Sequence, residues 1–319
     1  MKLLGKYRIS LSEWTYPEQD IQSLEESERF VDFLEEPNPY DGQAVEQGLE
    51  VVFVDGVRRT EYAMYLYDEE GGKSHEAVLV SLGAGAIKIS LHKLNLLEPS
   101  LVSHRIKRLF AVRGLWGIPP LSCAGISFDP ESFEGELSTE INRYMREQLE
   151  AEIAKEVYKK FPNTLVFCDG QLSQRLKGTY CIGIIKSIKR LYIPNEQLNI
   201  LANMKKAQRS PIVKLHYQEK MEEEEKVDRY SWYVKLSDGE GLHSLVRLEV
   251  LNFDRIDLQR VKRIADISAW LLPLFASTPF KDRRSPQNLL PVSSLENTLR
   301  RLLGPYKIIR SKIREALYA

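Results

Sequence analysis

The sequence predicts a mixed α/β fold: one mixed sheet containing an antiparallel three-strand meander, flanked by helices, with helical additions at both ends. Three observations carry that prediction. Two apolar runs, 51–54 and 165–168, each stop at Asp-Gly, namely Asp55-Gly56 and Asp169-Gly170. Strand-like segments lie between them. A long amphipathic stretch, residues 137–160, leads into the second run. Short apolar runs bounded by turn residues read as buried strands, and apolar residues at three- and four-residue spacing read as a helix.

Taken in order, residues 1–48 read as a helical, polar lead-in broken at Pro37 and Pro39. The first strand spans 50–55 and ends on Asp55. Residues 61–67 (EYAMYLY) alternate and form a second strand; the turn DEEGGK and a third strand over 76–90 complete the meander. The Gly-Ala-Gly inside that third strand lacks the Lys-Ser/Thr of a phosphate loop and opens no helix, so it reads as a bend or bulge. Residues 91–135 form an insertion around Pro119-Pro120.

The helix over 137–160 is capped by Ser138 or Thr139, and Pro162 prevents its continuation. Ile141, Met145, Leu149, Ile153 and Val157 make its apolar stripe. A strand then ends at Asp169, and another comes after it over 179–186. Residues 195–209 read as a basic helix, 211–217 and 230–236 as a hairpin, and 246–251 as a strand. Amphipathic helices follow over 257–275 and 293–303, and a basic helix over 306–319. Residues 49–305 thus form one domain between the lead-in and that last helix.

The order strand ending in Asp, strand, strand, helix, strand ending in Asp is that of a ribonuclease H-like core. There the first and fourth strands lie side by side and the helix crosses them. Such a site takes a third carboxylate from the helix. With Leu149 at the centre of the stripe and about 100° per residue, Glu152 falls roughly 60° away and Glu156 roughly 20°, while Glu150 lies at the edge. Glu147 points to solvent. Periodicity favours Glu152, with Glu150 and Glu156 as alternatives. Crowded carboxylates repel, and a hard divalent cation with oxygen ligands relieves this. A pair of such ions can clamp a scissile phosphate, and Mg²⁺ and Mn²⁺ both suit an oxygen-only site.

Composition narrows the field. The chain has 319 residues, 43% hydrophobic and 28% charged, enough for a full-sized core. No apolar run reaches the roughly 18 residues of a membrane-crossing helix. No signal peptide is expected in MKLLGKYRISLSEW. Cys123, Cys168 and Cys181 have no CxxC spacing, which fits reduced thiols in a cytoplasmic protein and not a zinc site. Charge is zero overall but uneven: twelve acids face four bases in residues 1–50, and nine bases face three acids in 281–319. The basic segment, with Arg283, Arg284, Arg300 and Arg301, is suited to phosphates.

The motifs FVDGVRR (53–59), MREQLEAEIA (145–154), LVFCDGQL (165–172) and GIIKSIKRLYIP (183–194) resemble those of the NurA-domain nucleases. So do SWYVKL (231–236), VRLEV (246–250) and RRSPQNLLPVSSLENTLRRLLG (283–304), and all come in family order. The DGVRR and SPQNL forms resemble the bacterial variety. The resemblance implies a ribonuclease H-like fold and a Mn²⁺-dependent DNA nuclease, with Mg²⁺ as the other candidate ion and a two-metal site. It also implies a homodimer working with a HerA-type hexameric ATPase on DNA ends in double-strand break repair.

The family's aspartates fall on Asp55 and Asp169, and its helix glutamate on Glu152 or Glu150. Arg58, Arg59, Lys186, Arg284 and Asn288 lie in family motifs as candidate phosphate contacts; Lys186, ending an apolar strand, is also a candidate catalytic residue. Archaeal members carry a C-terminal tyrosine and histidine, and the matching stretch SPQNLLPVSSLEN has neither. Two rival readings remain: a catalytically weak scaffold docking an ATPase ring, and another ribonuclease H-like nuclease.

Overall fold

The computed structural model describes residues 3–4, 7–12, 31–45, 48–68, 72–92, 95–96, 99–123, 125–186, 191–194, 197–216, 227–238, 244–277 and 286–318. The lead-in gives β1 (Leu3–Leu4), β2 (Tyr7–Ser12), β3 (Val31–Phe33) and β4 (Tyr40–Asp41). Next come β5 (Leu49–Asp68), β6 (Ser74–His92), β7 (Asn95–Leu96), β8 (Ser100–Arg113), β9 (Leu121–Cys123) and β10 (Ile126–Phe133). Helix α1 (Leu137–Tyr144) passes through a wider π-helical turn, Met145–Glu150, into α2 (Ala151–Lys160). Then follow β11 (Leu165–Asp169), β12 (Ile182–Ile185), α3 (Leu198–Asn203), β13 (Gln208–Arg209), β14 (Val213–Leu215), β15 (Arg229–Lys235) and β16 (Leu245–Leu251). Three helices finish the chain: α4 (Leu258–Leu271), α5 (Leu290–Leu302) and α6 (Tyr306–Tyr318).

All strands join one mixed sheet, ordered β3-β14-β15-β16-β12-β11-β5-β6-β8-β10-β9 along its main path. β5, β6 and β8 form the antiparallel meander. On the other side of β5, β11 runs parallel to it and β12 parallel to β11. The two apolar runs are thus immediate neighbours, with Phe53 and Phe167 stacked at 5.3 Å. Side chains alternate across a strand. Val51, Phe53 and Val57 therefore pack under α4 and α5, while Val52 and Val54 pack under α1 and α2. The outer ends of β5, β6 and β8 pack under α6.

Several expectations are corrected. The expected first and second strands are one strand of twenty residues. A bulge between Thr60 and Tyr62 lets it bend without breaking. Asp55-Gly56 is therefore mid-strand, paired with Gly85 and Ala84 of β6. The meander's third strand is β8, inside the stretch expected to be an insertion. Gly83-Ala84-Gly85 keeps register with β5; the β6–β8 bulge lies one step on, between Ala86 and Ile87.

The described residues of the expected helical lead-in form short strands and connecting turns, with no helix among them. β2 pairs with the outer half of β5 and β3 with β14. Buried Arg209 anchors the lead-in, pairing with Glu35 at 2.6 Å and Asp266 of α4 at 2.7 Å. The cap of α1 is Glu136, which accepts from the N–H groups of Ser138 and Thr139. The expected basic helix over 195–209 shrinks to α3. Arg283 and Arg284 lie outside the described residues.

Candidate active site where two strands adjoin

Asp55 and Asp169 arrive from neighbouring parallel strands whose register (Phe53 with Phe167, Val54 with Cys168) sets them side by side. β11 stops at Asp169. Gly170 turns the chain at φ +84° and donates its N–H to Ile184 O at 2.8 Å. The next loop is held from below. Glu249, fully buried, accepts from Leu172 N at 2.9 Å and from Arg229 and Arg247. Arg229 also donates to Leu172 O. Gly183 leaves room for this carboxylate, since a Cβ there would stand 3.0 Å from Glu249 Cγ.

A third carboxylate, Glu150, comes near the two aspartates. It reaches across Gly56, where any side chain would collide with Glu150 Oε1. Gly56 is thus a close-approach glycine inside a strand, and Gly170 is a turn glycine. Glu152 is not at this site. It pairs with Arg105 of β8 and is about half exposed. Glu156 faces the same way, accepting from Ser103 at 3.1 Å and Arg105 at 3.4 Å.

The cause of this difference is the π-helical turn. Ala151 N–H bonds to Arg146 O, five residues back, so the stripe slips in phase there. Leu149 belongs to that turn and is a poor centre for the stripe. Counted from Ile153, Ala154 and Val157, which are fully buried, Glu150 falls on the inner face and Glu152 on the outer one.

Electrostatics mark the same group. Asp55 is 7% exposed, and its buried Oδ2 has no hydrogen-bond partner. Burial raises its pKa well above the carboxylate range; the charges of Asp169, Glu150 and Glu296 add to this, and Lys186 opposes it. Glu150 is raised from 4.5 to about 7, chiefly by burial and then by Asp169, with Arg146 opposing. Lys186 Nζ donates to Asp169 Oδ2 at 2.8 Å and to Asn288 Oδ1 at 3.4 Å. Sequence reasoning did not single out Glu296 of α5 as part of this group. Its signal was position: it follows Val292 by four residues, at the edge of the α5 stripe.

The other expected phosphate contacts divide. Arg58 donates to Ser138 O and Asn142 Oδ1, bracing α1. Arg59 donates to buried Glu61 and to Leu303 O and Gly304 O, fixing the corner between α5 and α6. Arg300 and Arg301 are exposed and line a cavity of about 500 Å³ with Asn297, Gly304 and Pro305.

Among the described residues, no three His, Cys, Asp or Glu already stand at metal-holding distances. The residues nevertheless fit a hard divalent cation. The donors are all carboxylate oxygens, one buried oxygen lacks any partner, and burial and mutual repulsion raise the pKa of Asp55 and Glu150, which a cation would relieve.

No helix among the described residues is long and apolar enough to cross a membrane. A search of curated proteins returns no match. The NurA domain model matches residues 49–295, a span that contains Asp55, Glu150, Asp169 and Lys186. The chain belongs to the NurA-domain nuclease family.

Proposed function

We propose that this protein is a metal-dependent deoxyribonuclease with Asp55, Glu150 and Asp169 as its cation-holding carboxylates. The observation that carries the reading is the buried, unpartnered Oδ2 of Asp55 beside two further acids. Mn²⁺ or Mg²⁺ fits this oxygen set. A bound ion there would neutralise a scissile phosphate and activate water. The chain's own residues prepare the site. Glu249 fixes the loop after Asp169, Gly56 admits Glu150, and Lys186 orients Asp169 while placing a positive charge where a phosphate would come.

The strand order β8-β6-β5-β11-β12, antiparallel up to β5 and parallel beyond it, supports a ribonuclease H-like core for this domain. The exposed Arg300 and Arg301 offer the basic surface that binding to DNA requires. The reading extends to a homodimer that processes DNA ends beside a HerA-type ATPase. The sequence carries no phosphate-loop motif of its own, so translocation would be the partner's work.

The test is degradation of end-labelled linear DNA with Mn²⁺, for wild type and for Asp55→Asn and Asp169→Asn, with and without a HerA-type ATPase. Loss of cutting in both folded variants is expected. Equal cutting by either variant would overturn the assignment.

A further inference from the structure

Helix α6 carries three cations that the carboxylate site does not use. Its apolar stripe, Ile309, Ile313 and Leu317 at four-residue spacing, is buried in one core with Tyr62, Met64 and Leu66 of β5. Beside that stripe, Lys307, Arg310, Ser311 and Arg314 follow at three- and four-residue spacing, so they share one side of the helix. Lys307, Ser311 and Arg314 are exposed, and Arg310 is half-buried. Like charges so spaced repel. Glu315 is the one acid of α6, and it does not line the cavity that they surround. Among the described residues, no carboxylate pairs with any of the three cations.

The four side chains line a cavity of about 250 Å³ together with Tyr62 and Tyr306. Tyr62 is only 4% exposed, and its hydroxyl is buried without a hydrogen-bond partner. Arg310 stands over the Tyr62 ring at 4.2 Å and over the Tyr306 ring at 5.3 Å, and it donates to the Tyr306 hydroxyl. Arg314 stands 5.8 Å from the centre of the Tyr62 ring. The rings thus hold two guanidinium groups at one small opening. A cluster of cations alone is an ordinary solvated helix face. The buried hydroxyl is the independent sign of a ligand, because a polar group shut from water costs free energy until a partner arrives.

Three positive charges, the hydroxyls of Tyr62, Tyr306 and Ser311, and no carboxylate suit a small, doubly charged oxyanion. The cavity has room for one phosphate group and none for a duplex. It is separate from the carboxylates: seven residues of β5 at about 3.3 Å each put Tyr62 roughly 20 Å from Asp55. We propose that Tyr62, Lys307, Arg310, Ser311 and Arg314 bind a phosphomonoester, the group that ends a cut DNA strand or a free mononucleotide. That the carrier is a nucleotide rests on the nuclease reading above; the oxyanion site does not.

The test uses the full-length protein in chelator, so that no strand is cut. An internally labelled single strand phosphorylated at both ends is compared by fluorescence anisotropy with the same strand ending in hydroxyls. The phosphorylated strand is expected to bind at least about fivefold more tightly. Arg310→Gln combined with Arg314→Gln should erase that preference and leave the affinity for the hydroxyl strand within about twofold. Tyr62→Phe, which keeps the ring and loses the hydroxyl, should cut the preference by at least about half. Inorganic phosphate and dAMP should displace the phosphorylated strand, and deoxyadenosine should not.

Equal affinity for the two strands overturns the proposal. So does a preference that survives the double variant, or inorganic phosphate that displaces nothing. Displacement by dAMP at lower concentration than by unlabelled phosphorylated strand assigns the site to the free nucleotide; the reverse order assigns it to a DNA end. A protein that shows the preference yet cuts no DNA in Mn²⁺ keeps the site and refutes the nuclease reading. The wild-type comparison needs no variant, so the proposal stays testable even if a variant fails to fold.

Discussion

Replacing Glu150 by glutamine should make the metal-free protein more stable above neutral pH while abolishing its function. In the unfolded chain Glu150 loses its proton near its ordinary 4.5. In the folded chain it keeps it to about 7. Between those values the folded state binds the extra proton, so stability falls as pH rises through the window. Above about 7 both states are ionised and the loss is complete. Each pKa unit is worth about 1.4 kcal/mol, so the charged carboxylate removes about 3 kcal/mol at pH 8.

Glutamine fills the same space beside Gly56 and carries no charge. In chelator-containing buffer, denaturant unfolding should show Glu150→Gln more stable than wild type by about 3 kcal/mol at pH 8. At pH 4.5 the two should nearly coincide. Saturating Mn²⁺ should stabilise wild type and close the gap, because binding to the folded state alone adds stability by mass action. A variant no more stable than wild type at pH 8, or a gap that does not change with pH, would refute the claim that a charged Glu150 is held under repulsion.

Three further outcomes are expected from the packing. Gly56→Ala places a Cβ against Glu150 Oε1. The carboxylate end can swing aside, so unfolding should change by less than about 1 kcal/mol, while the displaced Glu150 should reduce nuclease rate at least about tenfold. Glu249→Ala leaves Arg229 and Arg247 buried without their carboxylate and frees the loop at Leu172. The loss should be about 3–5 kcal/mol, read from the unfolding midpoint. Arg59→Ala removes the ion-pair partner of fully buried Glu61 and leaves it the Ser81 hydroxyl. It should lower stability by about 3 kcal/mol yet leave the salt dependence of DNA binding unchanged in slope.

The sequence made the two strands and their aspartates legible, because an apolar run meeting Asp-Gly is a local signal. It also placed them side by side through the order of elements. The meaning of each glycine was not legible. Gly170 obeys its local role as a turn residue, whereas Gly56 is explained only by a carboxylate that arrives from residue 150. The same contact explains why the expected first strand is too short: Gly56 looks like a terminator, and β5 runs on to Asp68.

Periodicity favours Glu152, and the structure instead turns it outward to Arg105, for a different reason. A fixed 100° step assumes a regular helix, and a π-helical turn lies just before the residue that matters. The lead-in failed because its strands are completed by partners far along the chain, β2 by β5 and β3 by β14. Its acids look like a solvated face until Arg209 supplies Glu35 with a buried partner.

The most direct measurement compares Glu150→Gln with Glu152→Gln on end-labelled linear DNA in Mn²⁺, both checked for cooperative unfolding. The structure sets Glu150 with the two aspartates and leaves Glu152 in an exposed pair with Arg105. Glu150→Gln is expected to lose at least about a hundredfold in rate, and Glu152→Gln to stay within about twofold of wild type. A dead Glu152→Gln beside an active Glu150→Gln would contradict the assignment of Glu150 as the third carboxylate.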